Sequence, residues 1–422
     1  MNIIFILIAF TISAYIARLI IPRILLISFR KKLFDIPDER KVHKRAIPRL
    51  GGVSFFPTIL LSCSAVLALR TLTGYGISVL TASYILPEFL VLVCGMVLLY
   101  LTGIADDLVG VRYRQKFVIQ IICASLFPVV GLWVNDFYGL FGVNMIPAWF
   151  GIPFTIITVV FITNAINLID GIDGLASGLS SASLLVFGFL FMEKGLWIYS
   201  MLAFSTFGVL VPFFYYNVFG SAEHARKIFM GDTGALFLGF TLAVMSVQGV
   251  FKLHTVISFL VPLSIFALPL LDTTVAIIRR VAHGKSPFSP DRGHLHHKLV
   301  DMGFTQKNAV RILYAICALL GLVAVVFTDT IFDSSRLVKA VLVLILALIV
   351  FLFNYLIIKS PNLRVHTGLF DDEPLPDTPK NLGDTLKEVK HKIHNAEKDS
   401  AEKEKSDGTE SDVNGAEEKK EK

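Results

Sequence analysis

Apolar runs of membrane length recur along this chain as far as residue 358, and they leave the backbone one choice of structure. Lipid offers no hydrogen-bond partner to a peptide group, so each N–H and C=O must be satisfied within its own segment, as in a helix. A hydrocarbon core of ~30 Å needs about 20 residues at 1.5 Å each. Composition agrees: 54% of residues are hydrophobic, 17% are charged, and the mean hydropathy is +0.68. An ordinary water-soluble domain is excluded.

We read eleven spans, near residues 2–27, 52–70, 84–104, 117–134, 151–168, 175–192, 196–216, 234–251, 255–278, 308–328 and 336–358. Pro87 and the polar stretch Thr81-Ala82-Ser83 blur the start of the third, and only Glu193-Lys194-Gly195 separates the sixth from the seventh. The expected fold class is all-α, a polytopic integral membrane protein. The first segment has no cationic residue ahead of its apolar run and no small-residue cleavage site, so it is expected to persist as a span.

Lys and Arg gather in residues 28–50, 105–116 and 279–307, whereas connections such as 134–147 and 329–335 are almost free of them. The positive-inside rule then puts the N-terminus outside and the C-terminus in the cytoplasm. Cys63, Cys94, Cys123 and Cys317 all fall inside apolar segments without CxxC spacing, which reads as small buried hydrophobes. Residues 1–360 are expected to form a transmembrane domain whose cytoplasmic loops carry the site. Residues 361–422 turn abruptly polar and charged, as a largely disordered cytoplasmic tail would. No internal repeat is visible, which argues against an inverted-repeat transporter.

The informative polar residues all fall on the face assigned to the cytoplasm. Lys41-Val42-His43-Lys44 leads into Pro48-Arg49-Leu50-Gly51-Gly52, where cations suit phosphate and glycines allow close backbone approach; an ordinary basic anchor fits as well. Asp106 and Asp107 are adjacent, with Lys116 opening the next span. Neighbouring carboxylates repel unless a cation or a shared proton intervenes, and Mg²⁺ binds through one or two carboxylates plus substrate phosphate. Asn164, Asn167, Asp170 and Asp173 follow within one short stretch; their spacing lets the two acids face one site and does not match a calcium loop.

Asn217 precedes Phe229-Met230-Gly231-Asp232-Thr233-Gly234. Asp232 sits where a helix N-cap would, while Gly231 and Gly234 suit a backbone pressed against a ligand. The fifth motif is Arg292-Gly293-His294-Leu295-His296-His297-Lys298. No Cys or nearby Glu completes a zinc set there, so pyrophosphate binding is the simpler role, with proton transfer to a leaving group open to the histidines. Paired acids, an isolated Gly-Asp and a cationic His cluster on one membrane face suggest Mg²⁺-dependent phosphoryl transfer.

Between about residues 35 and 305, these ordered motifs resemble the polyprenyl-phosphate N-acetylhexosamine-1-phosphate transferases. The resemblance implies transfer of a sugar-1-phosphate from a UDP-N-acetylhexosamine to undecaprenyl phosphate, with release of UMP. This is the first membrane step of cell-surface polysaccharide synthesis at a bacterial cytoplasmic membrane. It implies Mg²⁺ as cofactor (Mn²⁺ as a substitute), with Asp232 as metal ligand. Asp106 and Asp107 are implied to handle the lipid phosphate. Lys44, Asn167, Asp170, Asn217 and Phe229 are implied to bind UDP, and Lys116, Arg292, His294, His296 and His297 to face phosphates; Asp173 is the least assigned of the substrate-binding set. A homodimer is a further expectation, and no nucleic-acid partner is expected.

Two departures select a branch. The muramoyl-pentapeptide transferases typically show three consecutive histidines and a Thr-Met-Gly-Gly turn. Here His294-Leu295-His296-His297 and Pro48-Arg49-Leu50-Gly51-Gly52 resemble the N-acetylglucosamine-1-phosphate branch. The rival from another class is an ion-coupled transporter, which predicts acids at the bilayer midplane and on both sides of it. The acids here are expected at one face.

Overall fold

The computed structural model describes residues 2–31, 33–34, 47–75, 79–137, 143–221, 226–253, 257–284 and 295–331, with side chains except at 79–84, 253, 257–269, 296–297, 318 and 320–331. The described chain is helical: α1 (Asn2–Lys31), α2 (Phe55–Leu72), α3 (Val79–Val109), α4 (Tyr113–Val129), α5 (Ala148–Ile169), α6 (Leu175–Glu193), α7 (Trp197–Phe214), α8 (Gly231–Leu253), α9 (Ile257–Ala282), α10 (Leu295–Asp301) and α11 (Gln306–Ile331). A 3₁₀ turn over Gly51–Ser54 leads into α2, and a π-helical turn over Tyr215–Phe219 ends α7. Among the described residues the β structure amounts to isolated bridges, such as Asp136 with Met145.

Seven segments among the described residues are long and apolar enough to cross a bilayer, so the chain is an all-α, multi-pass membrane protein. The expected span at 336–358 and the polar tail at 361–422 lie outside the described residues.

Helix ends differ from the expected ones where charge marks the membrane boundary. The connection expected at 105–116 shrinks to Gly110–Arg112, because α3 runs on through Val109 and α4 starts at Tyr113. A charged side chain reports where a helix meets water, and the helix itself continues a turn further. Gly110 then stops α3 in the left-handed region (φ 75°), its N–H donating to the Asp106 carbonyl at 3.0 Å.

The centre of the bundle is α8, with 94% of its membrane window buried. A helix apolar all round is stable only when neighbours cover it, and α3, α5 and α6 pack against α8. Close approach needs missing side chains. A Cβ at Gly103 would lie 2.3 Å from the Thr233 Cα, and one at Gly52 would lie 2.0 Å from the Gly234 N. Helix α1 packs along α7 in parallel: Ser13 Oγ donates to the Ser205 carbonyl at 2.6 Å, and the Phe10 and Phe207 rings stack at 5.5 Å.

The acids are not confined to one end. Glu88 is buried on α3, eighteen positions and about 27 Å of helix before Asp106. Its Oε1 accepts from Lys252 Nζ at 2.7 Å and its Oε2 from the Tyr199 hydroxyl at 2.6 Å. This corrects the expected one-sided distribution. The charge is nevertheless neutralised by a fixed partner, unlike an open ion pathway.

Candidate active site

The end of α3 meets the start of α8 and divides the adjacent acids into different jobs. Asp107 Oδ1 accepts the Asp232 N–H at 2.9 Å, and its Oδ2 accepts the Thr233 N–H at 2.9 Å and the Thr233 hydroxyl at 2.6 Å. The first amides of a helix have no partner within it and carry its positive dipole end, so an anion belongs there. Asp107 therefore caps α8 from another helix. Asp232 itself lies inside the first turn of α8 and is not its N-cap, so the plain capping alternative for this residue falls away. Gly231 makes the fit possible: it has φ 72°, and a Cβ there would lie 2.0 Å from the Arg49 carbonyl and 2.6 Å from Asp107 Oδ2. Arg49 completes the corner, donating from Nη2 to the Asp107 carbonyl at 3.0 Å with its Nε 3.8 Å from Asp107 Oδ1.

Asp106 faces elsewhere. Its Oδ1 accepts the Val111 N–H at 2.6 Å and its Oδ2 accepts Lys116 Nζ at 2.7 Å. The same ammonium reaches Asp232 Oδ1 at 3.4 Å, and that oxygen also accepts from Asn167 Nδ2 at 2.9 Å. Lys116, Asn167, Asp106 and Asp232 thus form one connected set drawn from α3, α4, α5 and α8. Behind it, the Gln120 and Asn164 amides pair with each other and tie α4 to α5.

Asp170 ends α5 beside this set. Among the described residues its carboxylate has no hydrogen-bond or ion-pair partner. Burial first, then the nearby carboxylates of Asp232, Asp173 and Asp107, pushes the Asp170 carboxyl well above the ordinary carboxylate range. Asp173 is offset by Lys227, whose Nζ lies 2.5 Å from Asp173 Oδ2. Asn217 is buried, and both ends of its amide hold backbone: Oδ1 accepts the Gly174 N–H at 2.7 Å and Nδ2 donates to the Ile228 carbonyl at 2.9 Å. It joins the Asp170–Gly174 turn to the segment of chain entering α8. The Tyr314 hydroxyl on α11 holds the same turn through the Gly174 carbonyl.

Phe229 is half-buried and sits in a segment paired with the Pro48–Gly52 turn. Its N–H donates to the Pro48 carbonyl at 2.8 Å, and its carbonyl accepts the Gly51 N–H at 2.9 Å. Gly51, Gly52 and Gly234 press chain against chain here, whereas for Gly234 the sequence suggested chain against ligand. Lys44, Arg292 and His294 lie outside the described residues, as do the side chains of His296 and His297, whose backbone opens α10.

Sequence reasoning missed Asp272. Buried on α9, it accepts the Leu295 N–H at 2.8 Å on Oδ1 and so anchors the start of α10, which carries the histidines. A carboxylate inside an expected span was the available signal. Thr233 and Lys227 were also passed over, because neither type stands out without its partner.

Among the described residues no three His, Cys, Asp or Glu side chains converge to hold a metal. Mg²⁺ asks for less, since it keeps waters and takes one or two carboxylates with substrate phosphate. Asp170, unpartnered and repelled by three acids, together with Asp232 beside it, has the charge and donor type that such an ion needs. An open groove of about 700 Å³ lies between α3 and α4, lined by Leu101, Ala105, Val111, Val118 and Ile119 with Thr102, Arg114 and Gln115.

Residues 89–250 match the profile of glycosyl transferase family 4. The chain is 31% identical over 345 residues to a probable undecaprenyl-phosphate N-acetylglucosaminyl 1-phosphate transferase of Bacillus subtilis, covering 82% of this chain and 91% of the relative. Undecaprenyl-phosphate alpha-N-acetylglucosaminyl 1-phosphate transferases of Escherichia coli and Yersinia pestis are 32% and 31% identical. These alignments cover 78% and 70% of this chain, and 84% and 76% of the relatives.

Proposed function

The chain belongs to glycosyl transferase family 4, and from that premise we propose that it transfers N-acetylglucosamine-1-phosphate from its UDP-sugar to undecaprenyl phosphate, releasing UMP. The observation that carries this reading is the junction of α3, α4, α5 and α8. There a lysine spans two acids, an unpartnered carboxylate waits beside them, and an open, mostly apolar groove is formed by the same two helices, α3 and α4. A lipid phosphate and a pyrophosphate need that combination: an apolar bed for one, and fixed charge of both signs for the reacting groups.

In the reaction, an oxygen of the lipid phosphate attacks the β-phosphorus of the UDP-sugar. The new P–O bond forms as the bond from that phosphorus to the bridging oxygen breaks, and UMP leaves with the electron pair. Lys116 holds the lipid phosphate, and Asp106 accepts its proton where it arrives protonated. Asp107 keeps α8 in place and, with both oxygens engaged, is not offered as a nucleophile; this supports direct displacement over a covalent intermediate at that residue. Asp170 and Asp232 would hold Mg²⁺, whose charge would offset that of the pyrophosphate. By the resemblance alone, His294, His296 and His297 would serve the leaving phosphate. The clustered Lys and Arg support a cytoplasmic position for this end of the bundle, in a bacterial inner membrane.

The experiment supplies purified protein with undecaprenyl phosphate, Mg²⁺ and a panel of UDP-sugars, and measures UMP. Release with UDP-N-acetylglucosamine is the expected result. No UMP from any UDP-N-acetylhexosamine overturns the proposal.

A further inference from the structure

Arg18 is a cation on a membrane span, outside the site described above. At 1.5 Å per residue it stands about 24 Å along α1 from Asn2, level with the Tyr215–Phe219 turn and so toward the active-site end of the span. It is exposed on the flank of the bundle, and among the described residues no carboxylate pairs with it. A cation at such a depth is costly unless an anion or water meets it.

Its guanidinium is also held in place. Nη1 donates to the Tyr216 hydroxyl, and the group lies 5.4 Å from the Tyr216 ring centroid and 5.7 Å from that of Tyr215. These contacts fix the guanidinium against the bundle instead of leaving it free to swing toward water. The remaining guanidinium donors suit the oxygens of a phosphate, which arginine binds in a fork. Tyr215 is 53% exposed, and Tyr15 and Leu19, near Arg18 on α1, are 65% and 42% exposed, so apolar surface flanks the cation as acyl chains require.

We infer that Arg18, Tyr215 and Tyr216 form a binding site for the headgroup phosphate of an anionic phospholipid. One guanidinium with no second partner matches the single charge of a phosphodiester; a phosphomonoester carries up to two. The tyrosines belong to a π-helical turn, a feature that often marks functional positions. The same turn contains Asn217, which clamps Gly174 and Ile228 behind the carboxylates. Lipid bound at Arg18 therefore stabilises the turn on which the active site leans.

The test uses the full chain in neutral detergent without any UDP-sugar, so it stands apart from the transferase reading. Bound lipid is counted by native mass spectrometry, and Tm is measured with phosphatidylglycerol, phosphatidylcholine or undecaprenyl phosphate added. Phosphatidylglycerol is expected to remain bound and to raise Tm by several degrees, while phosphatidylcholine does neither. Arg18→Gln is expected to weaken phosphatidylglycerol binding at least tenfold, with Arg18→Lys intermediate. If Arg18→Gln fails to fold, Tyr216→Phe replaces it and is expected to weaken binding severalfold. Unchanged phosphatidylglycerol binding in Arg18→Gln, or in Tyr216→Phe where it stands in, overturns the site. Equal displacement by undecaprenyl phosphate overturns the phosphodiester assignment.

Discussion

Asp107 and Thr233 are joined twice: Asp107 Oδ2 accepts both the backbone N–H at 2.9 Å and the side-chain hydroxyl at 2.6 Å. With the Asp232 amide on the other oxygen, one carboxylate seats the whole N-terminus of α8. Asp232 is placed by this contact before any ligand arrives.

Replacing Asp107 should therefore cost stability as well as turnover. Asp107→Ala leaves the α8 amides without their acceptor, a loss of about 2–3 kcal/mol. Asp107→Asn turns one amine toward an amide donor and should fall between. Thermal unfolding of both variants checks this, and an unchanged Tm would remove the capping role.

Asp232→Asn should behave in the opposite way. The carboxamide keeps the volume and an oxygen for Asn167, so Tm should stay near that of the parent. Turnover should fall on the order of a hundredfold or more, as for the loss of one charged group at a transferring phosphate. UMP release against Mg²⁺ concentration reads the effect, and near-normal Mg²⁺ dependence would take Asp232 out of the metal site.

Lys116→Met removes the cation shared by Asp106 and Asp232. A charged hydrogen bond to phosphate is worth ~1.5–3 kcal/mol, so the KM for undecaprenyl phosphate should rise on the order of ten- to a hundredfold. The KM for the UDP-sugar should move less. Steady-state kinetics with each substrate varied in turn separates the two.

If Asp170 holds Mg²⁺ as proposed, binding of the ion should depend on pH. Its carboxyl titrates above the ordinary range because of burial and the neighbouring acids. In metal-free protein the folded state then holds a proton that the unfolded state has released. The associated stability is full below the ordinary Asp pKa and is lost as pH rises through the raised value. Mg²⁺ bound there would have to displace that proton, so its affinity should climb with pH over the same window and level off above it. Calorimetric Mg²⁺ titrations at several pH values measure this; affinity independent of pH would contradict it. Asp170→Asn should flatten the profile.

Asn217→Ala should lower kcat through loss of position. Both amide ends hold backbone, so the Gly174 turn and the Ile228 segment come apart without it, at about 1–3 kcal/mol. Tm and kcat should fall together, while Asn217→Asp, which keeps the acceptor for Gly174, should retain part of each.

Much of this was legible in the linear chain. Apolar runs can exist in lipid only as helices, so the all-α multi-pass fold followed from composition and length. The motif residues Asp106, Lys116, Asn167 and Asp232 do meet, because each stands at a span end on the same side and the bundle brings such ends together. Glu88 and Asp272 were hidden for the converse reason: a lone acid in an apolar run shows its meaning only beside Lys252 or the start of α10.

The division of labour between Asp106 and Asp107 required the tertiary structure. In sequence they are one acidic pair. On α3 successive side chains point about 100° apart, so one meets Lys116 while the other meets the amides of α8. The length of the apolar runs and the placement of charge determined which segments span and where the polar ends gather. Which helix end abuts which was decided by packing at Gly52, Gly103 and Gly234, and a side chain's role follows from the partner that packing supplies.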